Sequence, residues 1–288
     1  MSVFSDLMSL VYTGISALLL FWHAVWDRVL GGAHSLSTDW AWVLGIVFLV
    51  LTVRVALLPI FLRQLRSQRA MQRIAPELKA LQAKHKGDRE TLAKEMTALY
   101  QREKVSPFGS FAPMLLQIPI FVGLLHVLRH LNPQITSEAS RTLYGWTLTQ
   151  FQEASHAVLL GAPIASTFHT GTVTTKLVTG VLIAAMVVTT FLTTRMSMMK
   201  NGPATDPQQR TIQRVMLWFI PLSLLTSGVI FPLGVVLYWT TQNLFALGQQ
   251  AWLHRRPDPS APVAAVAEPV VARAVPSSKP KVGAKPRR

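Results

Sequence analysis

Arg54 sits inside LTVRVALLPI (51–60), within an apolar run that begins at Trp40. A charge in a membrane span is costly and marks a function by default. About 9 Å of helix separates it from Ile60, so its stem could snorkel to the headgroups. Alternatively it lines a hydrated cavity, and other spans must then supply polar neighbours. They do. Gln117 stands between Pro113 and Pro119, and Thr189, Thr190, Thr193 and Thr194 form two i, i+4 pairs. Ser223, Thr226 and Ser227 follow, and then YWTTQN (238–243), which contains Tyr238, Trp239, Thr241, Gln242 and Asn243. Tyr238, Thr241, Gln242 and Phe245 fall on one helical face. Ser and Thr alone would suit helix packing; Arg with Gln and Asn points to a polar interior. None of the apolar runs holds an acid. An unpaired cation beside water attracts an anionic visitor, whereas a proton or cation pathway would carry carboxylates.

Catalytic constellations are weaker. Gly14-Ile15-Ser16-Ala17 faintly resembles an intramembrane serine-protease motif, with His126 as a conceivable base. His126 and His130, four apart, could form half of a metal site but lack further ligands. HExxH, P-loop and dinucleotide fingerprints are missing, and the 288 residues hold no cysteine, which removes thiolate chemistry and disulfides. The expectation is a protein that is not an enzyme, with no catalytic residue, metal or cofactor.

The elements that must position these residues are membrane helices. Half of the residues are hydrophobic, 14% are charged and the mean hydropathy is +0.34. Apolar runs of about 20 residues read as spans, here at about 40–60, 111–131, 175–195, 214–230 and 233–253. The last two come from one overlong stretch, split where Pro232 and Gly234 break the helix. Residues 7–30 are apolar but end in Trp22, His23, Trp26, Asp27 and Arg28, a pattern suited to an interfacial helix.

Charge sets the orientation. Residues 61–107 carry eleven Lys/Arg against five acids, and the tail from 254 carries eight against two. Segments 1–39 and 132–174 hold only Arg28 and Arg141 as Lys/Arg, with five acids. The positive-inside rule then gives the N-terminus out, five crossings and the C-terminus in. The net charge of +15 is thereby mostly explained by topology.

Between the first two spans, Ile74, Leu78 and Leu81, then Leu92, Met96 and Leu99, form two amphipathic stripes. Pro76 suits the first turn of one helix, Gly87 breaks the chain, and Asp88 can cap the second helix. The spacing predicts a cytoplasmic helical hairpin over 61–107. The Pro/Ala/Val-rich tail, 254–288, reads as disordered and basic. The domains are thus 1–39, a core over 40–253 with an extracytoplasmic loop at 132–174, and the tail.

Residues 51–124, from LTVRVALLPIFLRQL to APMLLQIPIFVGL, and 231–250, FPLGVVLYWTTQNLFALGQQ, resemble the YidC/Oxa/Alb family of membrane protein insertases. The likeness covers about 40–250 and suits the short bacterial form without a large extracytoplasmic domain. Ser106-Pro107 stands where Asn-Pro is common, and TTQN where TTNN is common. The resemblance implies an all-α polytopic fold in which five transmembrane helices enclose a hydrophilic groove. That groove is open to cytoplasm and lipid and closed outside. It implies that Arg54 attracts acidic substrate segments while the substrate helix slides along 111–131 and 214–230 into lipid. It implies a plasma-membrane location, with nascent membrane proteins and lipids as partners. SecYEG and the ribosome, the latter through the basic tail and cytoplasmic loops, are further candidate partners. A small-solute transporter stays open as an alternative, although the halves show no matching repeat. A membrane-protein assembly scaffold stays open too, since one groove could serve both roles.

Overall fold

The computed structural model describes residues 2–32, 34–105, 112–201 and 207–255. Ten α-helices carry the described chain: α1 (Ser2–Leu30), α2 (Trp40–Ala56), α3 (Leu58–Lys84), α4 (Arg89–Arg102), α5 (Ala112–His130), α6 (Glu138–Arg141), α7 (Leu148–His156), α8 (Val173–Asn201), α9 (Pro207–Ile230) and α10 (Leu233–Arg255). Two small antiparallel hairpins, β1–β2 (34–35 with 38–39) and β3–β4 (158–159 with 162–163), complete it. Ser106-Pro107 and most of the tail lie outside the described residues.

The expected spans correspond to α2, α5, α8, α9 and α10, with shifted ends. Among the described residues, Ser5–Leu30, Val173–Met199 and Arg210–Ile230 are each long and apolar enough to cross a membrane. So is the α2–α3 pair taken together across a 51° bend. α10 has the length, but its Thr, Gln and Asn residues make it too polar by composition alone. Such a helix needs protein or water on its polar face. α1, read from sequence as interfacial, is also long enough to cross, because its polar residues cluster at one end.

Hydrophobic burial concentrates where the 132–174 segment meets the helices. Leu19 of α1, Ile46, Leu49 and Val50 of α2, Leu124 and Val127 of α5, and Leu233, Val235 and Tyr238 of α10 form one core with Trp146 and Phe151. Gly123 lets α1 approach α5; a Cβ there would stand 2.6 Å from Ile15 Cδ1. The 132–174 segment, which the sequence left without assignment, is a packed cap. The side chain of Thr147 accepts from the Gln150 amide while Gln150 reaches back to the Thr147 amide, a reciprocal capping box. Trp146 stacks on Trp42 at 5.8 Å. The Asp39 carboxylate accepts from the Val158 amide at 2.7 Å, and Thr38 Oγ1 accepts from the Leu160 amide at 2.9 Å. Both side chains satisfy backbone donors that would otherwise be partly buried and unpaired.

Helices α3 and α4 occupy the stretch read from sequence as a hairpin. Asp88 caps α4, its Oδ1 accepting from the Thr91 amide at 3.1 Å, and this bond holds its carboxyl below the usual range. Gly87 supplies the left-handed turn at φ +100°. Glu77 of α3 and Arg102 of α4 pair at 2.6 Å across the hairpin, and Ile74, Leu99 and Val105 are buried. The pairing with Glu77 and Glu103 raises the Arg102 pKa. Pro76 departs from its expected place in a first turn. It lies inside α3, on an exposed face, and the helix starts 18 residues earlier at Leu58. Only the loss of one donor and a local clash oppose that, and the apolar stripe continues through it.

Candidate functional site

The site is built on α10, and the loop before it sets its register. Pro232 stops α9 and cannot donate. The Leu233 amide donates to Ser166 O and the Gly234 amide to Ile164 O, each at 2.9 Å. The cap thus takes up two of the free donors at the start of α10. Gly234 is needed for that approach, since a Cβ would lie 2.6 Å from Ile164 Cγ2. Further along, Thr240 Oγ1 donates to Leu182 O of α8 at 3.2 Å and ties the two helices.

Two turns past this anchor, the polar face of α10 meets the end of α2. Arg54 lies in the last turn of α2, three residues before Leu57, where the chain bends into α3. Its guanidinium carbon sits 5.8 Å from the Phe245 ring centroid. Tyr238, almost fully buried, is its electrostatic neighbour, and the Gln242 amide lies beside the Tyr238 hydroxyl. No carboxylate among the described residues pairs with Arg54. Its Nε is enclosed and finds no acceptor in the protein, and the Tyr238 hydroxyl likewise finds no well-formed hydrogen bond there. Buried polar atoms are nearly always satisfied, so these two stand out among the described residues.

The structure treats the other sequence-predicted site residues unevenly. Thr190 Oγ1 on α8 is buried without a protein partner. Thr241 is buried and returns its hydroxyl to Leu237 O at 2.9 Å, a local bond inside α10. Trp239 points elsewhere: it stacks on Phe121 at 6.0 Å and meets Phe231 edge-on, so it joins α10 to α5. Gln117 and Asn243 are half-buried on α5 and α10. Phe245 was on the predicted face, but no chemistry in the sequence singled it out; its place over Arg54 appears only in three dimensions.

The protease-like reading finds no geometry. Ser16 is fully buried with its hydroxyl unpartnered, while His126 bonds Tyr144 Oη at 2.9 Å and stacks on Tyr12 at 4.1 Å. His130 packs edge-on to Tyr144 and Phe151. Among the described residues no three His, Asp or Glu side chains are grouped as metal ligands.

α9 contributes an apolar surface. It packs chiefly on α8, and Val215, Met216, Trp218, Phe219, Leu222 and Leu225 are exposed along it. On α5, Ile118 and Val122 are exposed too.

The family model described as 60Kd inner membrane protein matches residues 33–260. The chain is 32% identical to membrane protein insertase YidC of Streptomyces avermitilis, over 88% of its own length and 60% of the relative's. It is 33% identical to the YidC of Mycolicibacterium paratuberculosis, over 88% and 77%. The chain therefore spans less than two thirds of the Streptomyces protein. A crystal structure of an active YidC insertase aligns with 84% of this chain and 46% of its own, at 20% identity and a TM-score of 0.49. The match across most of the chain, with the relatives' identities, shows that this protein belongs to the 60Kd inner membrane protein family, which includes the YidC insertases, as the arginine-bearing span and the FPLGVVLYWTTQN segment had suggested.

Proposed function

We propose that this protein is a membrane protein insertase of the plasma membrane. The observation that carries the reading is Arg54: a half-buried cation beside Tyr238 and Phe245, with no acid among the described residues to neutralise it and an enclosed Nε without an acceptor. In hydrocarbon such a charge would be prohibitive, and water reaching it from the cytoplasmic side lowers that cost. The packed cap at the other end supports closure outside. Arg54, Gln117, Thr190 and the α10 face then line the groove. An acidic segment of a nascent membrane protein pairs transiently with Arg54, and its apolar helix slides along the exposed faces of α5 and α9 into lipid.

Burial of the substrate's apolar side chains drives the step at about 25 cal/mol per Å². The membrane potential adds about 2.3 kcal/mol per acid per 100 mV. No group in this scheme forms or breaks a covalent bond. α1 lies at the outer interface and the N-terminus is outside. Segment 1–39 holds only Arg28 as a Lys/Arg, which favours an outside location. The mobile, charged hairpin α3–α4 captures substrate early. SecYEG and the ribosome are candidate partners, with the basic tail as the ribosomal contact.

The test is reconstitution. Purified protein in lipid vesicles should make a short single-span substrate protease-protected faster than protein-free vesicles do. Equal protection in both would overturn the assignment. A scaffold that merely binds membrane proteins would bind the substrate without accelerating protection.

A further inference from the structure

The groove arginine raises a question of its own: what holds it in place between substrates? A guanidinium on a flexible stem, one turn from the end of α2, has a short path to the headgroups. If it took that path, the charge would leave the position where an outgoing acid must find it. Among the described residues no carboxylate retains it, and its Nε–H finds no acceptor in the protein. One side chain is placed to do so. Phe245 puts its ring under the guanidinium at 5.8 Å, within the range where the negative face of an aromatic ring attracts a cation. Phe245 lies two turns beyond Tyr238 on the same face of α10, so the two rings bracket the arginine's position along that helix.

We infer that Phe245 is a positioning residue, which keeps Arg54 in the groove as a displaceable substitute for a counter-ion. This rests on the groove reading above. The choice of partner matters physically. A fixed carboxylate would neutralise Arg54 and compete directly with the substrate's acid. A π face leaves the charge intact and yields to a carboxylate, because the ionic hydrogen bond is the stronger contact. The guanidinium can also stay stacked while its edge engages an anion, since its donors lie in the plane of the group.

The experiment uses the full chain in lipid vesicles and two substrates that differ only in having two acids or two neutral residues in the outgoing tail. The readout is the ratio of their insertion rates, measured for wild type, Arg54→Ala, Phe245→Leu and Phe245→Trp. Leucine keeps an apolar side chain but removes the ring face; tryptophan keeps a ring and strengthens the attraction. Phe245→Leu should lower the acidic-to-neutral ratio about threefold, the size expected for losing a partly exposed cation–π contact. Phe245→Trp should preserve the ratio. If Phe245→Leu slows both substrates equally, or if Phe245→Trp lowers the ratio as leucine does, the ring acts only in packing and the inference fails, while the groove reading stands provided Arg54→Ala collapses the ratio. If Arg54→Ala leaves the ratio at its wild-type value, the groove reading fails and this inference falls with it.

Discussion

A cation enclosed on one side and unpaired on the other is stable only if its surroundings offer polarisable or wet neighbours. Arg54 has an aromatic ring and a phenol near it, and neither carries a charge. Charge and shape are therefore separable at this position. Arg54→Lys keeps the charge but loses the planar stacking group, and insertion of acid-tailed substrates should fall only partly. Arg54→Ala removes the charge and should slow those substrates far more than neutral-tailed ones. Initial rates of protease protection in vesicles check both; equal losses for lysine and alanine would show that shape, not charge, is at work. Arg54 itself was legible from sequence, because a lone charge in an apolar run stands out. Phe245 was not, because an aromatic residue in a span is ordinary until its neighbour is known.

At the scale of elements, the hairpin and the cap obey different physics. The hairpin is held by thin stripes, one inter-helix ion pair and a cap at Asp88, and most of its surface is exposed. Its backbone amides should exchange faster than those in the middle of α2 and α8; equal protection would contradict the picture. The pH dependence follows from Asp88. Its folded-state pKa is depressed by the bonds from Thr91, so its stabilisation is present above about pH 4, the ordinary carboxylate value, and is lost as the pH falls through the folded value. Amide protection at the start of α4 should drop over that window, and Asp88→Ala should remove the dependence. The cap, by contrast, buries Trp146, Phe151, Leu159 and Ile164 against the helices. Gly234→Ala would place a methyl against Ile164, and overpacking of this kind costs about 1–3 kcal/mol. Thermal unfolding in detergent should show the loss. The helical hairpin was readable because amphipathic spacing and a capping residue are local signals. The cap was not, since it depends on pairings such as Asp39 with Val158, more than a hundred residues apart. Pro76 misled for the opposite reason: its local preference for a first turn was overridden by a longer helix.

For the whole molecule, the polar positions fall on several helices that the sequence spreads over nearly two hundred residues, and the apolar core gathers at one end of them. The proposed orientation, with the cap outside and α3–α4 inside, rests on positive-inside counting. The position of α1 follows from the same orientation: a cysteine replacing Asp6 should react with a membrane-impermeant thiol reagent added outside intact cells, and reaction only from the cytoplasmic side would mean that α1 crosses. The claim on which everything else depends is that Arg54 lies in a water-filled space reached from the cytoplasm. The chain contains no cysteine, so a single one placed at position 54 reports on that space alone. In inverted membrane vesicles the impermeant reagent should label Arg54→Cys, and in right-side-out vesicles it should not. Labelling from the outer side, or no labelling from either, would contradict a groove open to the cytoplasm.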